Sequence, residues 1–549
     1  MREMRNSSRP RDDRYGRNAV HNAIAAGLMF VMLVVDAWAN TVYVSPSGDD
    51  ANPGTKQKPF ASLERARDAV RATPKNRPRN VVLRGGYAKH ATGFPDDVET
   101  LMTFSGGTAD ELWAISDGKI YNATSAGAIG APAVSSLTNS RWEYVNVTTA
   151  GGSYMYIANG VNTPYLYNGS TWTSITAASS PAITGVTTTT LNNPTLFKNR
   201  VWFIQKDTLK AWYLPTSSVG GAAQVLDLSS VARLGGVLVA MASWTIDAGY
   251  GVDDNLVFVT DKGEVIVYRG TDPSSASTWA LIGVWILGAP IGNRCLMKYG
   301  GDLLILTLDG LVPFASALQS SRLDPNIALS DKIQGAFATS AAAYRANFGW
   351  CMLYNPKNNA LIVNVPVKEG GQEQFVMNNI TKAWCKFTGW NAFHFGLLDD
   401  TPYFGAATFV AKAWTADSTG YIDDTNNING KILQAFNYFE TRGVQKIFTR
   451  ARPSIFSNGT PSVRVGINVD FNISDNVAPV SFSTPLTALW GTALWGTAVW
   501  GSDLEIQNNW QGVTGVGYCG SIQFQSSSNK LAIQWASTDV VYQLGWAGI

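Results

Sequence analysis

Histidine and cysteine, which most often carry enzymatic or metal chemistry, are scarce in this sequence. The 549 residues include only three histidines, and none of the four cysteines belongs to a CxxC pair. These residues are His21, His90, His394, Cys295, Cys351, Cys385 and Cys519. A Ser-His-Asp triad would depend almost entirely on His394, and neither a zinc site nor a disulfide framework is indicated. The sequence therefore predicts no catalytic residue, no cofactor, no metal ion and no enzymatic activity.

One short cluster of oxygen ligands, Asp49, Asp50 and Asn52, could be considered for calcium. It lacks the regularly spaced carboxylates and the closing glutamate of a calcium-binding loop. Aspartate, asparagine, proline and glycine in such a short stretch are typical of turns. We therefore interpret this cluster as a turn.

The tryptophans near the C-terminus have the most regular spacing. Residues 487–503 read TALWGTALWGTAVWGSD, which places Trp490, Trp495 and Trp500 five residues apart. Five residues turn a helix by about 140° and reverse the side of a strand, so no regular element carries all three on one face. The glycine after each tryptophan permits a tight bend. We predict that each ring packs into a bend as a local staple or a subunit contact; an exposed ligand-binding row is the alternative.

The overall composition predicts a mainly β chain with two or three domains. Apolar residues make up 45% and charged residues only 15%, while glycine and aromatic residues are abundant. This balance favours short strands and turns over long helices. Basic residues outnumber acidic ones twofold in residues 1–90, whereas the remainder is slightly acidic. Because no cationic stripe is visible in that remainder, sequence-specific DNA binding is not expected.

The first 39 residues resemble a signal peptide. Several arginines precede the apolar run AIAAGLMFVMLVV, and Ala37-Trp38-Ala39 places small residues at the −3 and −1 positions of a cleavage site after Ala39. The run is too short to span a bilayer. A buried helix is the alternative interpretation.

Residues 40–86 have a different character. The stretch TVYVSPSGDDANPGTKQKPFASLERARDAVRA begins at residue 41 and resembles the entry to secreted parallel β-helix proteins of the pectate-lyase-like class. In that class the stretch caps the coil without taking part in catalysis. The repeat of stacked aliphatic positions that a β-helix needs does not follow. We interpret residues 40–86 as a β-helix-cap-like segment fused to a different protein near Arg84.

Residues 87–430 repeat a paired-strand pattern, which predicts a six- or seven-bladed β-propeller. Strand, polar turn and strand recur in steps that average about 47 residues, the length of one four-stranded blade. The equivalent points are Trp113, Tyr156, Trp202, Val257, Leu304, Leu353 and Phe395. The pairs Asp117-Gly118, Asn159-Gly160 and Asp309-Gly310 are predicted to form the hairpin turns. Blades arranged around an axis bury each other's apolar faces.

The tryptophans of the repeat have two interpretations. Trp202, Trp212, Trp384 and Trp390 could form a platform on which sugars stack, as in a carbohydrate-binding propeller. Aromatic residues at strand positions of a repeat are more often part of the core. We therefore predict that these rings are buried.

Residues 431–549 form a separate β-rich domain, predicted to be sandwich-like. In residues 462–471, Val463, Val465, Ile467, Val469 and Phe471 alternate with polar residues, as in a half-buried antiparallel strand. Further strands are predicted in LEIQNNW, YCGSIQFQ and KLAIQWA.

The stretch from Tyr87 to Ile549 resembles a tail-protein family of short-tailed phages and prophages, of the propeller type found in the tail hub or nozzle. The strings that carry the likeness are YAKHATGFPDDVETLM, LKAWYLPTS, LDLSSVARLGG, GTDPSSASTWALIGVW, LGAPIG, KYGGDLL, LSDKIQGA, ILQAFNYF and the tryptophan pentads. The resemblance implies a non-enzymatic virion subunit in a homo-oligomeric ring around the DNA exit path. It also implies portal or adaptor partners, passage of DNA without sequence recognition, assembly in the host cytoplasm and no membrane contact.

Two other functions remain open from the sequence. The head of the chain suggests a secreted polysaccharide lyase or glycosidase, although the coil repeat and a carboxylate pair are not found. The second alternative function is that of a carbohydrate-binding propeller with exposed tryptophans. Glycan binding that disappears in Trp495→Ala would favour the latter.

Overall fold

The computed structural model describes residues 2–3, 43–44, 80–107, 109–247, 252–318, 327–368, 371–415, 420–482 and 504–545. The chain divides into two compact units, one formed by Arg84–Ile428 and the other by Met1–Leu83 with Asn429–Ile549. Nearly all of the signal-peptide-like and β-helix-cap-like segments lies outside the described residues. So do Asp49, Asp50, Asn52 and the three pentad tryptophans.

Seven antiparallel meanders, each starting with an inner strand, make up most of the Arg84–Ile428 unit. A separate parallel pair joins Ile183–Thr184 to Gly221–Ala222. Blade 1 is Val98–Phe104, Glu111–Ser116 and Lys119–Asn122. Blade 2 is Glu143–Thr149, Gly152–Ala158, Tyr165–Tyr167 and Trp172–Ser174. Blade 3 is Leu191–Phe197, Arg200–Gln205, Lys210–Tyr213 and Gln224–Asp227. Blade 4 is Leu238–Asp247, Val252–Thr260, Glu264–Gly270 and Trp279–Ile286.

The remaining three blades follow the same order. Blade 5 is Leu296–Tyr299, Asp302–Thr307 and Gly310–Pro313. Blade 6 is Cys351–Asn355, Ala360–Lys368, Gly371–Asn378 and Trp384–Phe387. Blade 7 is His394–Leu398, Thr401–Gly405, Phe409–Thr415 and Gly86–Thr92. Two α-helices, Phe314–Ala317 and Gln334–Tyr344, lie between blades 5 and 6. No helix in the described ranges is long and apolar enough to cross a membrane.

The blades close into a ring, which makes this unit a seven-bladed β-propeller. The inner strand of each blade packs against that of the next, and the inner strand of blade 7 packs against that of blade 1. The outer strand of blade 7 comes from the start of the unit, because Gly86–Thr92 pairs antiparallel with Phe409–Thr415. The mainly β propeller fold predicted from the repeat is confirmed, with seven blades.

An enclosed ion pair accompanies this closure. The Arg84 guanidinium donates to both carboxylate oxygens of Asp423, at 2.7 and 2.5 Å, and to the carbonyl of Thr388 at 2.7 Å. The two paired side chains are only 7% and 8% exposed. Trp390 packs 5.0 Å from the guanidinium and donates its indole N–H to Asp423 at 3.3 Å. The first residue of the propeller unit is therefore tied to the residues that follow its last blade.

The seven equivalent points of the repeat fall one in each blade, but not on equivalent strands. Trp113, Tyr156, Trp202, Val257 and Leu304 lie on second strands. Leu353 and Phe395 instead lie on the inner strands of blades 6 and 7. Seven blades agree with the six or seven that the repeat predicts. In blades 6 and 7 the equivalent points are shifted by one strand, because the first and second strands there also form an apolar hairpin.

The first predicted hairpin turn is confirmed. Asp117 and Gly118 have φ of 49° and 61°, and Ser116 pairs with Lys119 across them. Positive φ at both central residues is what a two-residue hairpin of this type requires.

The other two turns were predicted wrongly in detail. Gly160 has a positive φ, but the loop runs from Ala158 to Tyr165 and is organised by the Asn159 side chain, which accepts the N–H of Asn162 at 2.8 Å. In blade 5, Thr307 pairs with Gly310, so the central residues of the turn are Leu308 and Asp309, one residue earlier than predicted. Side-chain turns and a one-residue shift are invisible in a dipeptide motif.

The second unit contains a sandwich of two sheets, as the sequence predicts. One sheet has Lys446–Ser457 at its centre, paired with Ile533–Leu544, Glu505–Asn508 and Gln511–Gly517; Val81–Val82 adds to Ile533–Leu544. The other contains Ser462–Val469, Ala478–Val480 and Gly520–Ser528. Phe524 and Trp535 stack between the sheets with centroids 4.8 Å apart.

The strand predicted for residues 462–471 ends two residues early. Asp470 and Phe471 both have positive φ, and Phe471 is 64% exposed instead of buried. The Asp470 carboxylate accepts the N–H groups of Tyr518 and Cys519, at 2.7 and 3.1 Å. These hydrogen bonds to a distant segment stabilise a turn at a point where the alternating pattern alone predicts that the strand continues.

Candidate functional site

The propeller axis is the candidate site, because side chains from most blades converge there. Two cavities lie along it. The first, here the Arg294 cavity, has a volume of about 220 Å³ and is lined by Glu143, Asn193, Arg294, Lys298 and His394 among others. The second, here the Asp400 cavity, has about 550 Å³ and is lined by residues that include Asp110, Asp399 and Asp400. Inner strands of blades 2, 6 and 7 contribute to both.

Arg294 crosses the axis just before the inner strand of blade 5. Its Nε donates to Glu143 Oε1 at 3.0 Å, and its Nη1 donates to the Glu99 carbonyl at 3.0 Å. Its Nη2 donates to Thr100 Oγ1 at 2.9 Å and to the Trp142 carbonyl at 3.0 Å. One side chain of blade 5 therefore joins the inner-strand starts of blades 1 and 2. The side chain is 8% exposed, so these bonds are largely shielded from water.

Phe348, in the connection to blade 6, covers the same end of the axis. Its ring lies 5.3 Å from the Arg294 guanidinium and 4.2 Å from that of Arg141. Arg141 in turn pairs with Glu99 at 2.9 Å. Cation–π contacts of this kind hold a loop against charged groups without neutralising them.

His394, the one histidine considered for catalysis, has a structural contact. Its Nδ1 accepts the backbone N–H of Leu101 at 3.0 Å, which joins blade 7 to blade 1. Nδ1 is therefore unprotonated, and the neutral ring carries its proton on Nε2. Burial, and next the positive charge of Arg294, hold the pKa of His394 well below 6.5. The ring stays neutral at physiological pH.

Other side chains fasten neighbouring inner strands in the same way. Thr103 Oγ1 donates to the Leu397 carbonyl at 2.6 Å, and Asn146 Nδ2 donates to the Thr103 carbonyl at 2.8 Å. Between blades 3 and 4, Asn193 Oδ1 accepts the N–H of Met241 at 3.0 Å. Side chains thus provide hydrogen bonds across the gaps between sheets, where no backbone ladder exists.

The Asp400 cavity has the opposite electrostatic character. Asp110, Asp399 and Asp400 contribute carboxylates, and its lining within the described ranges includes no lysine, arginine or histidine. Asp399 and Asp400 form the turn between the first two strands of blade 7, with φ of 49° and 56°. In the described part of the chain, no group of three or more His, Cys, Asp or Glu side chains could hold a metal ion.

The cysteines and repeat tryptophans do not converge on the axis as a reactive group. All four cysteines are free thiols, and burial raises the pKa of Cys295 and of Cys351 to about 12. A thiol with such a pKa is a poor nucleophile near neutral pH. Trp202 and Trp390 are fully buried, which supports their interpretation as core residues. The two remaining rings donate their indole N–H groups to neighbouring oxygens and lie partly buried.

No sequence motif marks Arg294, Phe348 and Glu143 as neighbours. They come from three different blades or connections and form no motif. The string GAPIGNRC shows only that an arginine precedes a strand.

Comparisons with known proteins give distant structural likenesses. No family model and no curated protein matches the chain. Solved structures similar to it are two of BBS1N in complex with ARL6DN. The mercury-soaked one has a TM-score of 0.27 and 15% identity over 40% of this chain and 64% of that chain. The lead-soaked one has a TM-score of 0.37 and 12% identity over 61% of this chain and 98% of that chain.

A third similar structure is the Mitotic Checkpoint Complex. It has a TM-score of 0.36 and 8% identity over 63% of this chain and 96% of that chain. The sheet order and the closed ring of inner strands identify the Arg84–Ile428 unit as a propeller.

Proposed function

We propose that this chain is a non-enzymatic virion protein of a short-tailed phage or prophage, a tail hub or nozzle subunit. The proposal rests on the strings that resemble the tail-protein family, and the observation that carries it is where those strings lie. YAKHATGFPDDVETLM, residues 87–102, contains most of the outer strand of blade 7 and most of the inner strand of blade 1, the two elements at the ring closure. The likeness thus falls on residues that the propeller needs.

A second string has an equally specific place. LDLSSVARLGG, residues 226–236, connects blades 3 and 4. The fully buried carboxylate of Glu264 accepts the N–H groups of Arg233 and Leu234 within it, at 2.7 and 2.8 Å. A carboxylate that satisfies two loop N–H groups fixes the loop's backbone. This loop is a rigid surface element that a neighbouring subunit can use.

The closed axis supports one arrangement of the DNA path. Arg294 and its partners cross the propeller axis, and the cavity beside them, at about 220 Å³, is far too small for a duplex. In our proposal DNA passes between subunits, through the lumen of a ring of several copies. A closed ring satisfies every subunit contact when all copies are identical. The slightly acidic body suits such a conduit, because a cationic lumen would retain DNA through its phosphates.

The proposed partners are the portal or adaptor region above the ring and other tail proteins. Assembly takes place in the host cytoplasm, and residues 1–39 would instead direct export if they act as a signal peptide. The proposal assigns the fused head no role in the ring.

The test is to express the whole chain and, in parallel, a chain that begins at residue 80. Mass photometry gives the copy number, and negative-stain microscopy shows whether closed rings form. We expect rings of uniform size from both proteins. Monomers at micromolar concentration from both, with native β-sheet circular dichroism, would contradict the proposal. A glycan array on the same samples tests the carbohydrate-binding alternative.

A further inference from the structure

The Arg294 cavity has an excess of hydrogen-bond donors and positive charge. Its charged lining residues are Arg294, Lys298 and Glu143, a formal sum of one positive charge. The single carboxylate is already bonded to Arg294 Nε at 3.0 Å. The charged residues that line the Asp400 cavity, counted over the part of the chain that the structure describes, are all acidic, so the two cavities have opposite polarity.

The Arg294 guanidinium has more N–H groups than hydrogen bonds to the described residues. A guanidinium carries five N–H groups, and four are directed to Glu143, Glu99, Thr100 and Trp142 in the described structure. Among the described residues, one N–H of Nη1 has no hydrogen-bond acceptor. Because the side chain is more than nine-tenths buried, an unpaired N–H group there is unfavourable, and an acceptor that enters the cavity would stabilise it.

His394 and Lys298 add two donors of different kinds. Leu101 occupies His394 Nδ1, so the histidine contributes a neutral Nε2–H. The pKa of His394, kept low by burial, makes that state persistent. Lys298 is exposed at the cavity and supplies a mobile ammonium group. A fixed guanidinium, a fixed imidazole N–H and a flexible ammonium are groups that bind oxyanions.

We propose that the Arg294 cavity binds a small oxyanion of the size of inorganic phosphate. Its volume of about 220 Å³ accommodates such an ion with a few waters, each of which takes about 30 Å³ in the liquid. It lies below the ~300 Å³ at which pockets for larger organic ligands begin. Bound there, the ion would bridge blade 5 to blade 7 through Lys298, Arg294 and His394. This inference goes beyond the proposed function and does not depend on it.

The experiment uses the full chain and inorganic phosphate. Isothermal titration calorimetry measures binding, and thermal unfolding is recorded in potassium phosphate and in potassium chloride of equal ionic strength. We expect saturable binding, and a melting temperature that rises with phosphate because the ligand binds only the folded state. Lys298→Met should weaken the affinity about tenfold, the effect of one charge-assisted hydrogen bond.

Lys262→Met is the matched control. Lys262 is an exposed lysine of blade 4 that pairs with Asp261 at 3.2 Å and does not line the cavity. Phosphate affinity should be unchanged in this variant. Equal stabilisation by chloride, or wild-type affinity in both Lys298→Met and Lys298→Glu, would overturn the proposal. Because Lys298 is exposed, both variants are expected to fold, and circular dichroism checks this.

Discussion

At the scale of single residues, the Arg84–Asp423 pair is expected to dominate the stability of the ring closure. Asp423→Asn leaves the guanidinium enclosed without a countercharge, and breaking a buried pair in this way costs about 3–5 kcal/mol. We expect that loss in the free energy of unfolding of the propeller, measured by urea unfolding with circular dichroism.

Two further variants serve as controls for this prediction. The double variant Arg84→Met/Asp423→Leu should regain part of the loss, because no buried charge is left unpaired. Lys431→Met removes an ion pair whose side chains are 56% and 71% exposed, and should change stability by less than about 1 kcal/mol. If Asp423→Asn were as mild as Lys431→Met, the pair would not hold the closure.

His394 predicts a dependence of stability on pH. Its pKa is lowered in the folded state, chiefly by burial, so below about pH 6.5 the unfolded chain binds a proton that the folded chain does not. Stability should be level above that pH and fall by up to about 1.4 kcal/mol per pH unit below it. His394→Gln should remove this slope between about pH 6.5 and 5 in denaturant titrations.

His90→Gln serves as the comparison. His90 lies at the edge of blade 7, with Nε2 3.0 Å from the Thr124 carbonyl. The wild-type slope should persist in this variant. A slope that also persists in His394→Gln would refute the assignment.

Residue-scale predictions from sequence were limited by contacts between distant positions. Counting residue types singles out His394 as the histidine on which catalysis by histidine would depend, but it does not show what that ring contacts. Its bond to Leu101 spans 293 positions, and the Arg294–Glu143 bond spans 151. No local pattern marks such pairs, so the axis could not be predicted.

At the scale of elements, the blade repeat was predictable because each blade contains a hairpin of two apolar strands. Short-range alternation and turn residues identify such hairpins. Inner strands are harder to predict from sequence. Leu296–Tyr299, for example, has only four residues, and none of them is fully buried. Their packing is with other blades, so local propensity carries little information about them.

The outer strand of blade 7 provides a test at this scale. Gly86 begins that strand, and a Cβ added there would overlap the backbone carbonyl of Ile422. Gly86→Ala should therefore cost about 1–3 kcal/mol in unfolding free energy, as overpacking usually does. The measurement is chemical unfolding of the purified variant.

Gly335→Ala is the control for a glycine with room. Gly335 lies near the start of the Gln334–Tyr344 helix, and an added Cβ would meet no atom within 4 Å. Alanine should keep or slightly raise stability there, because it is the better helix former. Equal losses in both glycine variants would show that the ring-closing strand tolerates displacement.

At the scale of the whole molecule, ring closure joins residues that are far apart in sequence. Gly86–Thr92 pairs with Phe409–Thr415, more than three hundred positions away. Closing so long a loop is a property of the topology, which no strand motif encodes. The repeat therefore predicts a propeller of six or seven blades, while the count of seven and the origin of the last strand required the structure.

A truncation series tests this closure. A chain that begins at residue 80 keeps the outer strand of blade 7, whereas one that begins at residue 93 exposes the edge of Phe409–Thr415. We expect the chain that begins at residue 80 to elute as one species of uniform size. The chain that begins at residue 93 should aggregate, because unpaired strand edges pair with strands of other molecules. Size-exclusion chromatography distinguishes them. Identical behaviour of the two chains would mean that blade 7 is stable with three strands.

The tryptophan pentads belong to the scale of the assembly. Trp490, Trp495 and Trp500 lie outside the described residues, and the prediction that they act as staples or subunit contacts stands on the sequence. Trp490→Ala/Trp495→Ala should lower the melting temperature or the ring yield, because large aromatic side chains dominate such contacts. Trp510→Ala removes a ring that is 39% exposed beside Arg452, and should leave ring yield near the wild-type level. If the double variant forms rings as stable and as abundant as those of Trp510→Ala, the pentads do not act through packing, and an exposed ligand-binding row becomes the better interpretation.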